Sequence, residues 1–190
     1  MTKTIENIRK AMSGELRACV RYLGFAGKAD GEGYPGVARL FRAVSMAERV
    51  HAQSHHCVLS DEEQVKENLT FNEKLEQAIA ELNDTGAVKG TMENLKTAIE
   101  GETFEFKTMY PAMIQDAIAE KHLEARHSLE YAMSIEMIHA KLFKKALATP
   151  DKDEVDTYYI CPLCGYTVES EPPDKCPYCG VDKKKFRAVQ

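Results

Sequence analysis

Two eight-residue stretches of this chain, 88 residues apart, nearly repeat one another: Ser45-Met46-Ala47-Glu48-Arg49-Val50-His51-Ala52 and Met133-Ser134-Ile135-Glu136-Met137-Ile138-His139-Ala140. Each carries Glu-x-x-His followed by Ala, with apolar residues around it. Upstream of each lies a Gly-Glu pair, Gly14-Glu15 and Gly101-Glu102, and these pairs are 87 residues apart. One helical hairpin is therefore present twice, and two hairpins build a four-helix bundle. A bundle that takes one Glu from each of two helices and Glu-x-x-His from each of the other two aims its ligands at a pair of iron or manganese ions. This ligand scheme recurs in dinuclear carboxylate bundles.

The helices can be followed by periodicity. Ile5, Ile8, Met12, Leu16, Cys19, Val20 and Leu23 recur at three- and four-residue steps and predict an amphipathic helix over residues 3–28. Glycines at 31 and 33 end it, and Pro35 suits the first turn of a second helix running to about residue 59. Residues 61–87 are polar, with a partly helical pattern at Leu75, Ile79 and Leu82, and read as a long crossover between the hairpins. Thr91 is the expected cap of a third helix, carrying Leu95, Ile99, Glu102, Phe106 and Met109 until Pro111 breaks or kinks it. A fourth spans about 122–147. Periodicity then lapses, and 148–157 reads as a solvated linker. The expected domains are a bundle at 1–147, that linker, and a small metal-binding module at 158–190.

Glu-x-x-His is a weak signal alone, and the chain contains a decoy, Glu124-x-x-His127. Charged neighbours surround the decoy, whereas Glu48 and Glu136 sit among Met, Ala, Ile and Val. His127 and His139 are twelve residues apart, about 120° around a helix, so both cannot point inward; His139 is the expected ligand. Glu15 flanks Leu16 on a face that should be buried, and Glu102 and Glu105 share one face of their helix. Five carboxylates and two imidazoles thus point into one interior, where uncompensated charge costs several kcal/mol per group. Two divalent ions remove that cost, and carboxylates with a few imidazoles suit iron or manganese. Five glutamates with two ferrous ions carry the same net charge as with two ferric ions and a bridging oxide. Two-electron cycling therefore leaves the buried charge unchanged. Glu105 breaks the repeat, since Ala18 stands at the equivalent place.

Four of the six cysteines cluster near the end of the chain, as Cys161-Pro162-Leu163-Cys164-Gly165 and Cys176-Pro177-Tyr178-Cys179-Gly180. Each Cys-x-x-Cys turn directs two thiolates at one ion, and the following glycine permits the tight turn and the approach of backbone to sulfur. A module of this size needs its metal to hold together. Spacing alone leaves zinc and iron open; iron is preferred because a one-electron centre beside a two-iron site makes an electron relay. Cys19 and Cys57 are expected to be small buried hydrophobes without function.

Composition excludes other classes. With 44% hydrophobic and 29% charged residues the chain is an ordinary globular one. No apolar run approaches the roughly 18 residues needed to cross a bilayer, and the first ten residues do not resemble a secretory signal; no membrane partner and a cytoplasmic location are expected. A net charge of -5, with one short basic run at Lys183-Lys184-Lys185, argues against nucleic acid.

With both sites in hand, the chain resembles the rubrerythrins, in which a ferritin-like di-iron domain precedes a rubredoxin-like domain. The resemblance rests on Gly14-Glu15 with Tyr22, Glu48-x-x-His51-Ala52, Asn94-Leu95 through Ala98-Ile99-Glu100-Gly101-Glu102-x-x-Glu105, Met109-Tyr110-Pro111, Glu136-x-x-His139-Ala140, and the stretch 158–186. It implies an all-α, ferritin-like four-helix bundle of up-down hairpins with a long crossover, then a small, mainly β rubredoxin-like domain. It implies that Glu48 and Glu136 bridge two non-haem irons, that Glu15 and Glu102 are terminal ligands, and that His139 binds one iron while the other moves between Glu105 and His51. Cys161, Cys164, Cys176 and Cys179 would hold one further iron. Tyr22 and Tyr110 would hydrogen-bond ligand carboxylates. The implied activity is reduction of hydrogen peroxide to water, with electrons from rubredoxin or an NAD(P)H-dependent reductase. The implied assembly is a homodimer or higher homo-oligomer in which one subunit's rubredoxin-like domain serves its partner's di-iron site. The rival reading is a ferroxidase or iron-handling protein with a structural zinc ribbon. A thiol enzyme using Cys19 or Cys57 has little support.

Overall fold

In a computed structural model, residues 2–59, 73, 76, 87–152 and 155–190 are described. Helix α1 (Lys3–Gly31) pairs with α2 (Pro35–Val58), and a second hairpin joins α3 (Thr91–Phe104), a π-helical turn (Glu105–Met109) and α4 (Tyr110–Ala119) to α5 (Leu123–Ala148). The expected crossover falls almost wholly outside the described residues.

Thr2 caps α1 by accepting the Ile5 N–H at 3.3 Å, and the Glu120 carboxylate takes the Lys3 and Thr4 N–H groups at 3.0 and 2.8 Å. The first helix is thereby clasped to the end of the fourth. Its apolar stripe is buried as far as Val20, but Leu23 is 53% exposed. Thr91 does not cap α3. Gly90 holds that position, while the Thr91 backbone N–H and hydroxyl both donate to Glu32, at 2.8 and 2.6 Å.

Pro111 neither breaks nor ends the helix. The π turn precedes it, with the Tyr110 N–H bonded five residues back to the Glu105 carbonyl, and Pro111 falls in the first turn of α4, where a missing N–H is tolerated. Helical structure consequently continues for eight residues beyond Pro111, to Ala119.

Two apolar clusters fill the bundle. Ile5, Ile8, Met12, Leu16, Ile114 and Leu129 form one; the rings of Tyr22, Phe25, Phe41 and Phe143 form the other, with centroids 5.1–6.0 Å apart. Such ring pairs add about 0.5–1.5 kcal/mol each beyond area burial. The tail forms a three-stranded antiparallel sheet, β1 (Tyr158–Ile160) central between β2 (Thr167–Glu169) and β3 (Arg187–Val189). Tyr158, Ile160 and Val189 pack into the aromatic cluster of the bundle. Arg39 Nη1 donates to the Val155 carbonyl at 2.7 Å, and Lys145 pairs with Glu169 at 2.8 Å. Within the chain, the module thus packs on the bundle.

Candidate metal centres

Glu15 on α1, Glu48 and His51 on α2, Glu102 on α3, and Glu136 and His139 on α5 all project into the bundle, each at most 2% exposed. Two donor groups form: Glu15, Glu48, His51 and Glu136 make one; Glu48, Glu102, Glu136 and His139 make the other. Within each, one ligand atom per residue lies within 4.8 Å of all the rest. Glu48 and Glu136 belong to both. Among the described residues, the cysteine cluster is the third such group. Glu124 and His127 face solvent, as the charged neighbours of the decoy require.

The imidazoles reach across the centre. His51 Nδ1 is 3.0 Å from Glu48 and 2.8 Å from Glu136; His139 Nδ1 is 2.8 Å from Glu136, 3.1 Å from Glu48 and 3.6 Å from Glu102. Two imidazoles cannot satisfy four carboxylates. Glu15 Oε2 and Glu102 Oε2 are buried without a hydrogen-bonded partner, and Glu48 Oε1 and Glu136 Oε1 meet only an imidazole nitrogen whose single hydrogen is already claimed by another carboxylate. Buried acceptors that lack donors call for cations, and a carboxylate-imidazole set in two overlapping groups fits a pair of iron ions.

Electrostatics give the same picture. Burial, then repulsion from Glu136 and Glu48, pushes the Glu15 carboxyl far above the usual range; burial and the same two neighbours do so for Glu102. Burial opposes the charged form of His51, but Glu136 and Glu48 outweigh it and raise that imidazole to about 10. Burial likewise opposes the charge on Glu136, and His51 and His139 overcome it and hold the carboxyl low. Without metal, protons do the neutralising, so ions must displace them to enter. Glu105, at the start of the π turn, stands outside both donor groups and is partly exposed. Desolvation, then the charges of Glu15, Glu102, Glu136 and Glu48, raise its carboxyl well above normal, so it faces the same centre.

Each tyrosine braces one carboxylate: Tyr22 donates to Glu102 Oε1 and Tyr110 to Glu15 Oε1. The outer nitrogens of the histidines meet the tail. His51 Nε2 lies 3.1 Å from the Cys164 carbonyl, an acceptor only, so that nitrogen must carry the hydrogen and Nδ1 is the one that faces the carboxylates. His139 Nε2 lies 3.2 Å from Thr167 Oγ1, whose own hydrogen goes to the Gly165 carbonyl at 3.0 Å, so this imidazole is oriented the same way. Thr167 and the Cys164 carbonyl had no signal in the sequence, because their partners lie 28 and 113 residues away.

The two cysteine knuckles are built alike. Cys161 N–H bonds the Tyr166 carbonyl and Gly165 N–H the Cys161 carbonyl; Cys176 and Gly180 repeat both bonds with Val181 and Cys176. Gly165 and Gly180 each sit at φ +75°, the left-handed region that suits glycine. The four sulfurs converge, with Cys161 and Cys179 3.4 Å apart and Cys164 and Cys176 3.5 Å apart. The Cys164 thiol, then the Leu163 and Cys164 amides, hold the Cys161 thiol at about 5 despite its burial, which favours the thiolate a metal needs. Ile135 of α5 packs directly on this cluster. Cys19 is buried, but Cys57, near the end of α2, is exposed, contrary to expectation.

The fold and the two centres define a class: a non-haem di-iron carboxylate bundle carrying a rubredoxin-like four-cysteine domain. The family model for rubrerythrin matches residues 6–147, and that for the rubrerythrin rubredoxin-like domain matches residues 159–187. The chain belongs to the rubrerythrin family. It is 38% identical to rubrerythrin-2 of Clostridium acetobutylicum, over 97% of this chain and 96% of that protein. To nigerythrin of Nitratidesulfovibrio vulgaris it is 32% identical, over 97% and 86%. The structure of fully reduced, all-ferrous nigerythrin aligns over all of this chain and 88% of that one, with TM-score 0.81 and 29% identity.

Proposed function

We propose that this protein is a peroxidase that reduces hydrogen peroxide to water in the cytoplasm, as a defence against oxidative stress. The observation that carries the reading is the contact between the centres, in which a carbonyl from a cysteine knuckle accepts the hydrogen of an imidazole whose other nitrogen faces the carboxylates. An iron-handling bundle with a zinc ribbon has no use for that junction.

In this reading Glu48 and Glu136, which belong to both donor groups, would hold the two irons together with Glu15 and His51 on one side and Glu102 and His139 on the other, with Glu105 as a further carboxylate beside them. When bound, the iron pair supplies two electrons and Lewis acidity for O–O cleavage. Tyr22 and Tyr110 keep their carboxylates aimed, and Thr167 and the Cys164 carbonyl keep both histidines in the one tautomer able to ligate through Nδ1. Cys161, Cys164, Cys176 and Cys179 would hold a third iron, a one-electron centre supplied by rubredoxin or an NAD(P)H-dependent reductase, and the hydrogen bond from His51 to the Cys164 carbonyl would join its ligand set to that of the iron pair. The working unit is a homodimer, in which exchange of the two tails between chains reproduces the same contacts in trans.

Anaerobic stopped-flow tests the reading. Fully reduced protein is expected to be oxidised far faster by peroxide than by dioxygen, with red ferric tetrathiolate absorbance appearing and three irons per chain. Faster oxidation by dioxygen, together with a colourless tail, would establish the ferroxidase instead.

A further inference from the structure

A line of hydrogen-bonding side chains outside the ligand set leads from Glu15 to the protein surface. Tyr110 donates its hydroxyl hydrogen to Glu15, and its oxygen lies 3.2 Å from His55 Nε2. His55 Nδ1 is 2.8 Å from Ser128 Oγ, which is 2.9 Å from Ser54 Oγ. Tyr110 and His55 are completely buried and Ser128 nearly so, whereas Ser54 is partly exposed and lines an open groove of about 860 Å³ between α2 and the cysteine module.

The donors in this line all point one way. Because the Tyr110 hydrogen is committed to Glu15, the phenol oxygen accepts, so His55 Nε2 carries a hydrogen. His55 is completely buried between two neutral hydroxyls, those of Tyr110 and Ser128, an environment that disfavours the charged ring, so the ring is neutral and its Nδ1 accepts. Ser128 must donate to it, Ser54 must donate to Ser128, and the Ser54 oxygen is left to accept from water in the groove. A histidine held only for packing needs neither a serine pair nor this orientation, and burying such a polar chain costs more than an apolar filling would.

We propose that Ser54, Ser128, His55 and Tyr110 form a proton relay from the groove to the Glu15 end of the di-iron site. The inference rests on the peroxidase reading, because that reaction consumes protons. Hydrogen peroxide takes two electrons from the iron pair and two protons from solvent, the O–O bond breaks, and two waters leave. Each proton enters by one hydrogen shift per link: groove water to Ser54, Ser54 to Ser128, Ser128 to His55 Nδ1, His55 Nε2 to Tyr110, and Tyr110 into the site. Every link gives one hydrogen and takes one, so none retains a charge, and the return flip of ring and hydroxyls resets the chain.

Two measurements test the relay. In zinc-loaded protein, nitrogen NMR of the His55 ring is expected to show the neutral form with hydrogen on Nε2, and Ser128→Ala is expected to move the Nδ1 resonance; a charged ring, or hydrogen on Nδ1, overturns the proposal. In iron-loaded protein, single-turnover oxidation by peroxide is compared in H2O and D2O. Ser128→Ala and His55→Gln are expected to slow it about tenfold or more and to change its solvent isotope effect, with iron content and red absorbance unchanged. The His55→Gln amide bonds both neighbours but cannot pass a proton. If it matches the wild-type rate, His55 merely holds Tyr110 and the relay is wrong. Unchanged rates in both variants, in a protein that peroxide does oxidise, overturn the relay alone; a wild type that peroxide does not oxidise overturns the peroxidase reading, and the relay with it.

Discussion

Gly165 meets two demands at once. Its φ of +75° is costly for any residue with a Cβ, and a Cβ built there would run into His51 Nε2 and lie 2.9 Å from His51 Cδ2. Gly165→Ala is expected to cost about 1–2 kcal/mol in backbone strain alone and to push the knuckle off the imidazole. The red tetrathiolate should survive, since all four cysteines remain, while reoxidation of the reduced tail after a peroxide pulse slows; an unchanged rate would place the electron path elsewhere. His51 yields a pH prediction. Its imidazole is raised from 6.5 to about 10 in the fold, so its stabilising contribution is complete below 6.5 and is lost as pH rises through about 10. Glu15, Glu102 and Glu105, also raised, act in the same direction, because their ionisation is disfavoured in the fold. Metal-free protein should therefore show a melting temperature that falls between pH 6.5 and 10. Iron-loaded protein, whose ligands have already given up their protons, should not.

Among the elements, the four long helices follow from apolar spacing, which depends only on near neighbours in the chain. The π turn does not. It spans Glu105–Met109 between α3 and α4, just ahead of Pro111, and no apolar spacing in the chain marks it. The aromatic cluster does most to hold the elements in register: Tyr22 on α1, Phe41 on α2 and Phe143 on α5 meet ring to ring, and the sheet strands β1 and β3 close over them. Phe41→Ala is expected to cost about 3–5 kcal/mol in urea unfolding. It should also loosen the tail, read as faster proteolysis after residue 147. If the tail stays fully protected, the sheet is held by Arg39 and Lys145 rather than by the apolar contact.

At the scale of the whole molecule, the tail both covers and orients the bundle site. It closes over His51 and His139 and sets which nitrogen of each faces inward. The cysteine domain is too small to keep its fold without an ion. Cys164→Ser should therefore abolish the red absorbance and reduce steady-state peroxide turnover nearly to zero, while one round of oxidation of chemically reduced protein persists. Sustained turnover in that variant would show that the donor reaches the iron pair directly.

The amino-acid sequence alone determined the inventory of this protein: a duplicated hairpin, the glutamates and histidines at 15, 48, 51, 102, 136 and 139 on inward helix faces, and two cysteine knuckles for one ion. These are legible because ligand spacing on a helix or in a knuckle spans only a few covalent links. Tertiary structure alone decided how the parts address each other. It set Glu105 beside the donor groups rather than within them, turned Cys57 to the outside, seated Cys164 and Thr167 on the two histidines, and aligned His55 with Ser128, 73 residues away. Those relations join groups remote in the chain, and only the packing of the helices and of the sheet against them brings such groups within reach of a hydrogen bond.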